Sequence, residues 1–307
     1  MNKPINDSPV PSLQPPVGVA WGKYLFYPLA LMSTLVFIYA EVTGFLGPLG
    51  KAYPIYLVAL IAIMVGMERL MPARPDWNMT RASFLTRDLP MLVINAAAIF
   101  ATTLIVTWMA QRIGQAPFAP KHWLPWWGEA IAAILISDFF WYWLHRYSHE
   151  GKGWLGRWLW KVHVLHHLPD RVYVFMHVAS HPINSALVRV ILMLPPLVLG
   201  FSPEGIFAAS VFNGFQGLVS HFNVDARAGW FNRIFMGTEL HRFHHSANPA
   251  EAKNYAAVVT IWDRLFGTLE NHPGEIPDQL GVWDRESYPS DKEWLRLLAI
   301  PFRSPRV

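Results

Sequence analysis

Histidine is concentrated in three short segments of this chain. They read HRYSH at 145–149, HVLHH at 163–167 and HRFHH at 241–245, and they contain eight of the thirteen histidines. In a helix, residues three or four apart share a face, so each segment can direct at least two imidazoles toward one metal ion. Neutral imidazole is a ligand for Zn, Cu, Fe and Ni. Because eight imidazoles exceed what one tetrahedral site uses, the pattern predicts two metal ions.

A purely structural role explains these segments poorly. Clustered imidazoles without a ligand would repel one another when protonated and would cost desolvation energy when buried. Two further histidines flank an apolar stretch at 182–220: His181 stands before a proline in ASHPIN, and His221 opens HFNVD. We predict both as ligands, with His177, four residues before His181, as the alternative there. His122 and His272 are interpreted as structural or exposed residues.

Few carboxylates accompany the histidines. Asp138 stands seven residues before His145 and therefore on a similar helical face. An acid at membrane depth is a functional candidate, so Asp138 is the predicted catalytic residue, either bonded to a ligand imidazole or part of a polar network. A satisfied polar group between helices explains it equally well. Weaker candidates for holding an imidazole are Asn184, Asn223, Asp225 and Asn254.

The composition is that of an integral membrane protein. The chain of 307 residues is 53% hydrophobic and 15% charged, whereas soluble domains carry about 25% charged residues. Fifteen tryptophans and nineteen phenylalanines suit a membrane interface. The absence of cysteine excludes disulfides and thiolate ligands. The basic residues behind the net charge of +4 are scattered, which argues against nucleic-acid binding.

Four apolar runs are long enough, or nearly so, to cross a bilayer. They are 24–46, 53–70, 89–110 and 128–144. A further stretch at 182–220 is interrupted at LPP and at GFSPEG, which predicts a re-entrant or transmembrane helical hairpin. The organisation follows in four parts: a disordered Pro-rich lead at 1–23, a transmembrane region at 24–127, a catalytic domain at 128–270, and a polar tail with an amphipathic C-terminal segment at 271–307.

The distribution of positive charge predicts an orientation. Arg69, Arg74, Arg81 and Arg87 lie at or after the end of the second span, whereas the opposite loops carry only Lys51, Arg112 and Lys121. The positive-inside rule then places the N-terminus and every histidine-rich segment on the cytoplasmic side. The predicted fold is an all-α, multi-pass membrane protein with a cytoplasmic, histidine-rich di-metal cap.

With these motifs in place, the chain resembles the fatty acid hydroxylase/sterol desaturase superfamily. The similarity covers about residues 128–270 and includes DFFWYWLHRYSH, HVLHH, SHPIN, HFNVD, HRFHHS and NYAAVVTIWDRLFGT. It implies an all-helical membrane protein with a cytoplasmic di-iron centre, two Fe ions that zinc can replace, and O2-dependent hydroxylation or, less favoured, desaturation of a lipid. The implied ligands are His145, His149, His163, His166, His167, His241, His244 and His245, with His181 and His221 at recurrent family positions.

The chemistry expected of such a site agrees with the residues. An unactivated C–H bond is not cleaved by ordinary acid–base groups, so a redox metal has to supply the reactivity. Sterols, fatty acyl chains and alkylglycerols all remain open as substrates. No nucleotide or haem motif occurs, so electrons are expected from a ferredoxin or a cytochrome b5-type protein. The alternatives are a histidine-rich metal transporter, which would need polar groups within several spans, and a zinc hydrolase, which would need an acid at the metal.

Overall fold

Helices joined by turns and loops make up the whole described chain. The computed structural model describes residues 20–303 except 115, 117 and 291, and this part contains no β-strand beyond three isolated bridges. Most of the predicted disordered lead, residues 1–19, lies outside the described residues, as do the last four residues of the predicted amphipathic C-terminal segment. Residues 20–23, also assigned to that lead, instead begin the first helix.

The described residues contain eleven α-helices. In chain order they are α1 (Ala20–Val42), α2 (Tyr53–Leu70), α3 (Arg81–Ser83), α4 (Leu89–Ile113), α5 (Trp126–Glu150), α6 (Gly153–His167), α7 (Pro182–Leu199), α8 (Pro203–Ser220), α9 (Thr238–His244), α10 (Ile261–Leu265) and α11 (Trp294–Leu298). α5 extends without a break through the predicted span 128–144 into the first histidine segment. The long helices α4, α5, α7 and α8 pack against one another, and α1 lies against α8.

The predicted hairpin at 182–220 is formed by α7 and α8. α7 continues through Pro195 and Pro196 and ends at Gly200, whose φ of 77° lies in the left-handed region that glycine adopts without strain. Ser202 then caps α8, because its hydroxyl oxygen accepts a 3.1 Å hydrogen bond from the amide of Gly205. The GFSPEG segment therefore makes the turn. The LPP segment does not, since a proline pair in the last turns of a helix removes few of its hydrogen bonds.

Within the described residues, four segments are long and apolar enough to cross a membrane: Gly22–Val42, Tyr53–Leu70, Pro75–Ile113 and Pro182–Leu199. The first three match predicted spans. The fourth is α7, the first arm of the predicted hairpin. α5, which contains the predicted span 128–144, is not among these four segments. α5 is less apolar, because it carries Glu129, Asp138 and the first histidine segment. The predicted class, an all-α membrane protein with a histidine-rich cap, is confirmed, whereas the cytoplasmic side stays a prediction.

Polar side chains at the ends of two membrane helices hold the histidine cap in place. At the end of α2, Glu68 Oε1 accepts hydrogen bonds from the amides of Val174 at 2.8 Å and Asn223 at 2.9 Å. On α4, the amide of Asn95 donates to the carbonyls of Val178 at 3.0 Å and Ser180 at 2.9 Å. These loops follow the second histidine segment and α8. These hydrogen bonds therefore fix the position of the histidine-bearing loops relative to α2 and α4.

We predict that Glu68→Ala destabilises the fold. The substitution leaves two buried amide donors without an acceptor, which costs about 2–4 kcal/mol. Thermal unfolding in detergent, followed by circular dichroism, should show a midpoint several degrees lower than that of the wild type. The matched control is Glu286→Ala at an exposed position. Equal midpoints for the two variants would contradict this role for Glu68.

Candidate metal centre

The ends of four helices bring the histidines together. His145 and His149 occupy the last turns of α5, and the second segment fills the last turns of α6. The third segment is α9, with His245 as its C-terminal cap, and His221 caps α8. Because a helix leaves its last carbonyls without internal partners, these ends are polar places on which a buried site can be built.

The nine histidines form two groups. The first group is His145, His149, His163, His167 and His244, and the second group is His166, His221, His241 and His245. Within each group the candidate ligand atoms all lie within 4.8 Å of one another. The groups adjoin, since the rings of His167 and His245 stack with centroids 4.5 Å apart. The second and third segments each contribute to both groups.

The outward nitrogens of several rings are fixed by backbone carbonyls. The Nδ1–H of His145 donates to Tyr255 O at 2.7 Å, and that of His244 donates to Lys253 O at 2.7 Å. In the second group, His221 Nδ1 donates to Gly217 O at 2.8 Å. A neutral imidazole carries one proton, so a ring that donates through Nδ1 has a bare lone pair on Nε2. The carbonyls therefore select the tautomer in which Nε2 is ready to bind a metal.

The inward nitrogens face one another without an intervening proton donor. The Nε2 atoms of His145 and His163 are 3.0 Å apart, and those of His221 and His241 are 3.1 Å apart. His149 Nε2 and His244 Nε2 are buried with no hydrogen-bond partner. Lone pairs at this distance repel unless a cation lies between them. The donor set thus fits a bound metal ion in each group.

The spacing of the ligand atoms suits ions that are each bound by several imidazoles. The closest facing Nε2 atoms lie 3.0–3.1 Å apart. With metal–nitrogen bonds of about 2.1 Å, one ion can contact both members of such a pair. The first group offers five imidazoles and the second group offers four.

Burial keeps the imidazoles neutral. It lowers the pKa of His163 to about 4 and that of His221 to about 3. The pKa of His244 falls to about 3, first through burial and then through the nearby His163. Both causes disfavour the protonated ring, which cannot bind a metal through Nε2. At neutral pH the histidines are therefore in the ligating form.

His181 is the one predicted ligand that lies outside both groups. Its Nδ1 accepts a 3.1 Å hydrogen bond from the amide of Ile183, and its Nε2 donates to Leu298 O at 3.2 Å. It acts as the N-cap of α7, so both ring nitrogens are occupied. His177, the alternative, lies nearer, with its ring centroid 5.3 Å from that of His221, although it belongs to neither group.

Asp138, the predicted catalytic residue, binds the backbone of a neighbouring loop. Oδ1 accepts from the amides of Ala257 at 2.9 Å and Val258 at 3.1 Å, and Oδ2 accepts from Val259 at 3.0 Å. That loop directly follows Tyr255, whose carbonyl holds His145. The geometry supports a positioning role for Asp138, exerted through this loop, and shows no direct bond to an imidazole.

The four weaker polar candidates differ in whether they contact an imidazole. Asn184 does contact a ligand candidate, since its Oδ1 accepts a 3.2 Å hydrogen bond from His163 Nδ1. The side-chain amide of Asn223 donates a hydrogen bond to the carbonyl of Arg74, and Asp225 forms an ion pair with Lys23. The side-chain amide of Asn254 donates to the carbonyls of Leu240 and Glu270. These three hold loops and none bonds an imidazole.

Sequence reasoning missed Asp263. Its carboxylate accepts from the amides of Tyr255 at 2.8 Å and Ala256 at 2.9 Å, and from the hydroxyl of Thr268 at 2.7 Å. It thereby fixes the two residues that precede the part of the loop held by Asp138. Its place within WDRLFGT, a segment without metal chemistry of its own, was the available indication.

The metal content of two variants should show which of His221 and His181 is a metal ligand. We expect His221→Ala to lose about one metal equivalent per chain, because it removes one of four ligands from the second group. His181→Ala should retain the wild-type content, since His181 lies outside both groups. Elemental analysis of purified, detergent-solubilised protein provides the measurement. Loss of metal from His181→Ala, with full retention in His221→Ala, would reverse the assignment.

Asp138→Asn should weaken metal retention without changing a ligand. The amide group places a donor against a backbone N–H, so the loop that holds His145 loosens. Changes in groups that orient ligands typically cost about 10–100-fold in metal affinity. Competition with a chelator at neutral pH measures this loss, with Asp278→Asn at an exposed position as the control. Unchanged retention in Asp138→Asn would show that the loop does not depend on this carboxylate.

Comparison with known proteins gives a consistent relationship. Ornithine lipid hydroxylase OlsE of Rhizobium tropici is 29% identical over 261 residues, which cover 81% of this chain and 75% of that protein. Alkylglycerol monooxygenase of Homo sapiens is 29% identical over 276 residues, covering 85% of this chain and 56% of that protein. Methylsterol monooxygenase 2-2 of Arabidopsis thaliana is 26% identical over 152 residues, covering 47% of this chain and 55% of that protein.

The chain therefore spans about three quarters of the first relative and little more than half of the other two. No solved structure matches. The family model for fatty acid hydroxylase matches residues 130–268. That segment contains all nine histidines of the two groups, so the similarity of this chain to the fatty acid hydroxylase family covers the whole candidate metal centre.

Proposed function

We propose that the protein is a membrane-bound di-iron oxygenase that uses O2 to hydroxylate a lipid. The observation that carries this proposal is the pair of buried imidazole groups at the ends of α5, α6, α8 and α9, in a chain with four helical segments that could cross a membrane. The names of the relatives support it, because they are a lipid hydroxylase and two kinds of monooxygenase. Hydroxylation is favoured over desaturation for the same reason.

Iron is the proposed metal in both groups. Imidazole binds iron as well as zinc, so ligand type alone does not decide. The hydroxylase and monooxygenase names of the relatives favour a metal that binds O2 over a structural zinc ion at these histidine groups. When bound, the two ions supply the reduction of O2. The overall reaction consumes a C–H bond, O2, two electrons and two protons, and it yields an alcohol and water.

The chain itself supplies ligation, shielding and a place for the substrate. An open apolar groove of about 660 Å³ lies between α5, α7 and Trp262, and its lining includes Leu135, Phe139 and Pro195. Phe139 precedes His145 by six residues on α5, which is about 9 Å along a helix axis. We assign this groove to the hydrocarbon part of the lipid, because its apolar walls are open to the surface and can accept a chain from the bilayer.

A metal transporter fits the membrane helices less well. Such a protein would line a path across the membrane with polar groups that can bind ions. The buried acids near the described spans have other partners: Glu41 accepts from the amides of Gly50 and Ala52, and Glu68 accepts from two cap loops. The histidines gather at one end of the bundle and do not continue through it.

A zinc hydrolase lacks its general base in the described part of the site. Both groups consist of histidine alone. Glu150, close to the first segment, binds Arg146 at 2.7 Å and the hydroxyl of Tyr255 at 3.0 Å. Glu239, close to the third, accepts from the side chain of Asn232 at 2.6 Å. Neither carboxylate belongs to a group that could activate a metal-bound water.

The remaining assignments follow from the sequence. We propose a multi-pass arrangement with the cap in the cytoplasm, which the arginines between α2 and α4 support through the positive-inside rule. Residues 128–270 are the proposed catalytic domain and 24–127 the transmembrane region. Electrons come from a partner, a ferredoxin or a cytochrome b5-type protein, because O2-dependent hydroxylation needs two of them.

Lipid analysis of cells with and without the protein tests the proposal. Expression should add lipids that are heavier by one oxygen, and His244→Ala should abolish them because it removes a ligand of the first group. His272→Ala is the matched control, since His272 lies outside both groups. Protein purified without oxygen should contain about two Fe per chain. Zinc alone in such protein, with lipid hydrolysis and no O2 uptake, would refute the function.

A further inference from the structure

A tryptophan–tyrosine pair connects the first group to the surface of the cap. The ring of Trp160 lies against two histidines of this group, with centroids 5.1 Å from His149 and 5.9 Å from His167. Its indole N–H donates a 2.8 Å hydrogen bond to the hydroxyl of Tyr288. Both side chains are half-buried. The pair therefore extends from the imidazoles to solvent.

The helix that carries Trp160 presents positive charge beside it. Arg157 and Lys161 stand at i−3 and i+1 relative to Trp160, so Arg157 shares a face with both of the other residues. Lys161 Nζ donates to Arg303 O at 2.6 Å, which brings a further cationic residue to this side of α6. Between residues 151 and 169 no Asp or Glu occurs, and the cations are Lys152, Arg157 and Lys161.

We propose that Arg157, Trp160, Lys161 and Tyr288, here called the α6 face, dock an acidic one-electron carrier protein and pass its electrons to the first group. The inference rests on the proposed function, which requires an external donor. Complementary charge accelerates encounter and fixes the orientation of such a partner. Electron tunnelling falls off exponentially with distance, so a ring in contact with two ligand candidates offers a short path from the surface to the first group.

The electron balance is simple. Each docked donor loses one electron, and two successive encounters supply the two electrons that one hydroxylation consumes. The indole of Trp160 mediates tunnelling and is neither oxidised nor reduced overall. The two protons come from water. Tyr288 holds the indole through its hydroxyl, and Arg285 in turn holds the Tyr288 segment by donating to the Tyr288 carbonyl at 3.2 Å and the Pro289 carbonyl at 2.8 Å.

A binding experiment tests the docking without catalysis. The probe is an acidic [2Fe–2S] ferredoxin, and the target is zinc-loaded protein in nanodiscs of fixed lipid composition. The double variant Arg157→Glu/Lys161→Glu should weaken the Kd at least tenfold at low salt and flatten its salt dependence. Arg233→Glu, at an exposed position on another segment, should leave both unchanged. An unchanged Kd in the double variant overturns the proposal, including the case in which the cations respond only to anionic lipid.

A rate experiment tests the path through Trp160. With iron-loaded protein, Trp160→Leu should lower the electron-transfer rate at least tenfold at saturating ferredoxin, where the rate no longer depends on the Kd. Trp160→Phe keeps a ring and should be intermediate, which guards against a packing defect in the leucine variant. The control Trp283→Leu alters an exposed tryptophan. Reduction by dithionite, a small reagent that needs no docking, should be equal in all variants. Equal ferredoxin rates would overturn the path.

Single turnover separates the two proposals. Protein reduced with dithionite under anaerobic conditions, freed of reductant and then exposed to O2, tests lipid hydroxylation without a donor protein. Normal single turnover with no effect of the α6-face variants on ferredoxin refutes only the docking inference. Absent single turnover, together with the expected effects on ferredoxin binding and rate, refutes only the proposed lipid hydroxylation.

Discussion

The hydrogen bonds from outward imidazole nitrogens to backbone carbonyls are the interaction on which the rest of the site depends. Each such bond, as from His145 to Tyr255 O, places the ring proton on Nδ1 and leaves Nε2 bare. Bare nitrogens then face one another at about 3 Å in a buried space. That arrangement is costly by itself and becomes favourable only with a cation present. We infer that metal binding and folding of the cap are coupled.

The buried carboxylates around this site follow a consistent rule. Glu68, Asp138 and Asp263 accept from backbone amides of the loops that carry or support the histidines. Loops lack the regular backbone hydrogen bonds of helices and strands. A carboxylate is a strong acceptor for backbone amides, so these three acids supply hydrogen bonds that the loops would otherwise lack. The buried acids therefore fix the backbone of these loops, and loop carbonyls fix the imidazole rings. The inward ring nitrogens remain available for a metal ion. The acids thus lie close to the histidines but outside the two groups.

Much of this arrangement was predictable from residue spacing. The grouping of the three histidine segments around candidate metal positions follows from the i, i+3 and i+4 pattern, and the structure places His221 with them. His181 lies outside both groups and caps α7; a histidine before proline can cap a helix or bind a metal, and spacing does not distinguish the two. The sequence identified Asp138 as a candidate residue but did not identify its backbone partners, because the loop 257–259 is distant from it in sequence. α5 covers the predicted span 128–144 as one helix but is less apolar than the four candidate spans, because a helix packed among others needs less apolar surface than one facing lipid.

The all-histidine donor set would have an electrostatic consequence that extends beyond the site. Neutral imidazoles would not cancel the charge of the two proposed dications, and the carboxylates of Asp138 and Asp263 are already engaged with backbone amides. The bound centre would therefore keep a positive field within a low-dielectric cap, where charge is weakly screened. Such a field would stabilise added electrons. It would also add to the positive charge of Arg157 and Lys161 on α6, and both charges would favour the acidic electron carrier that we propose for this face.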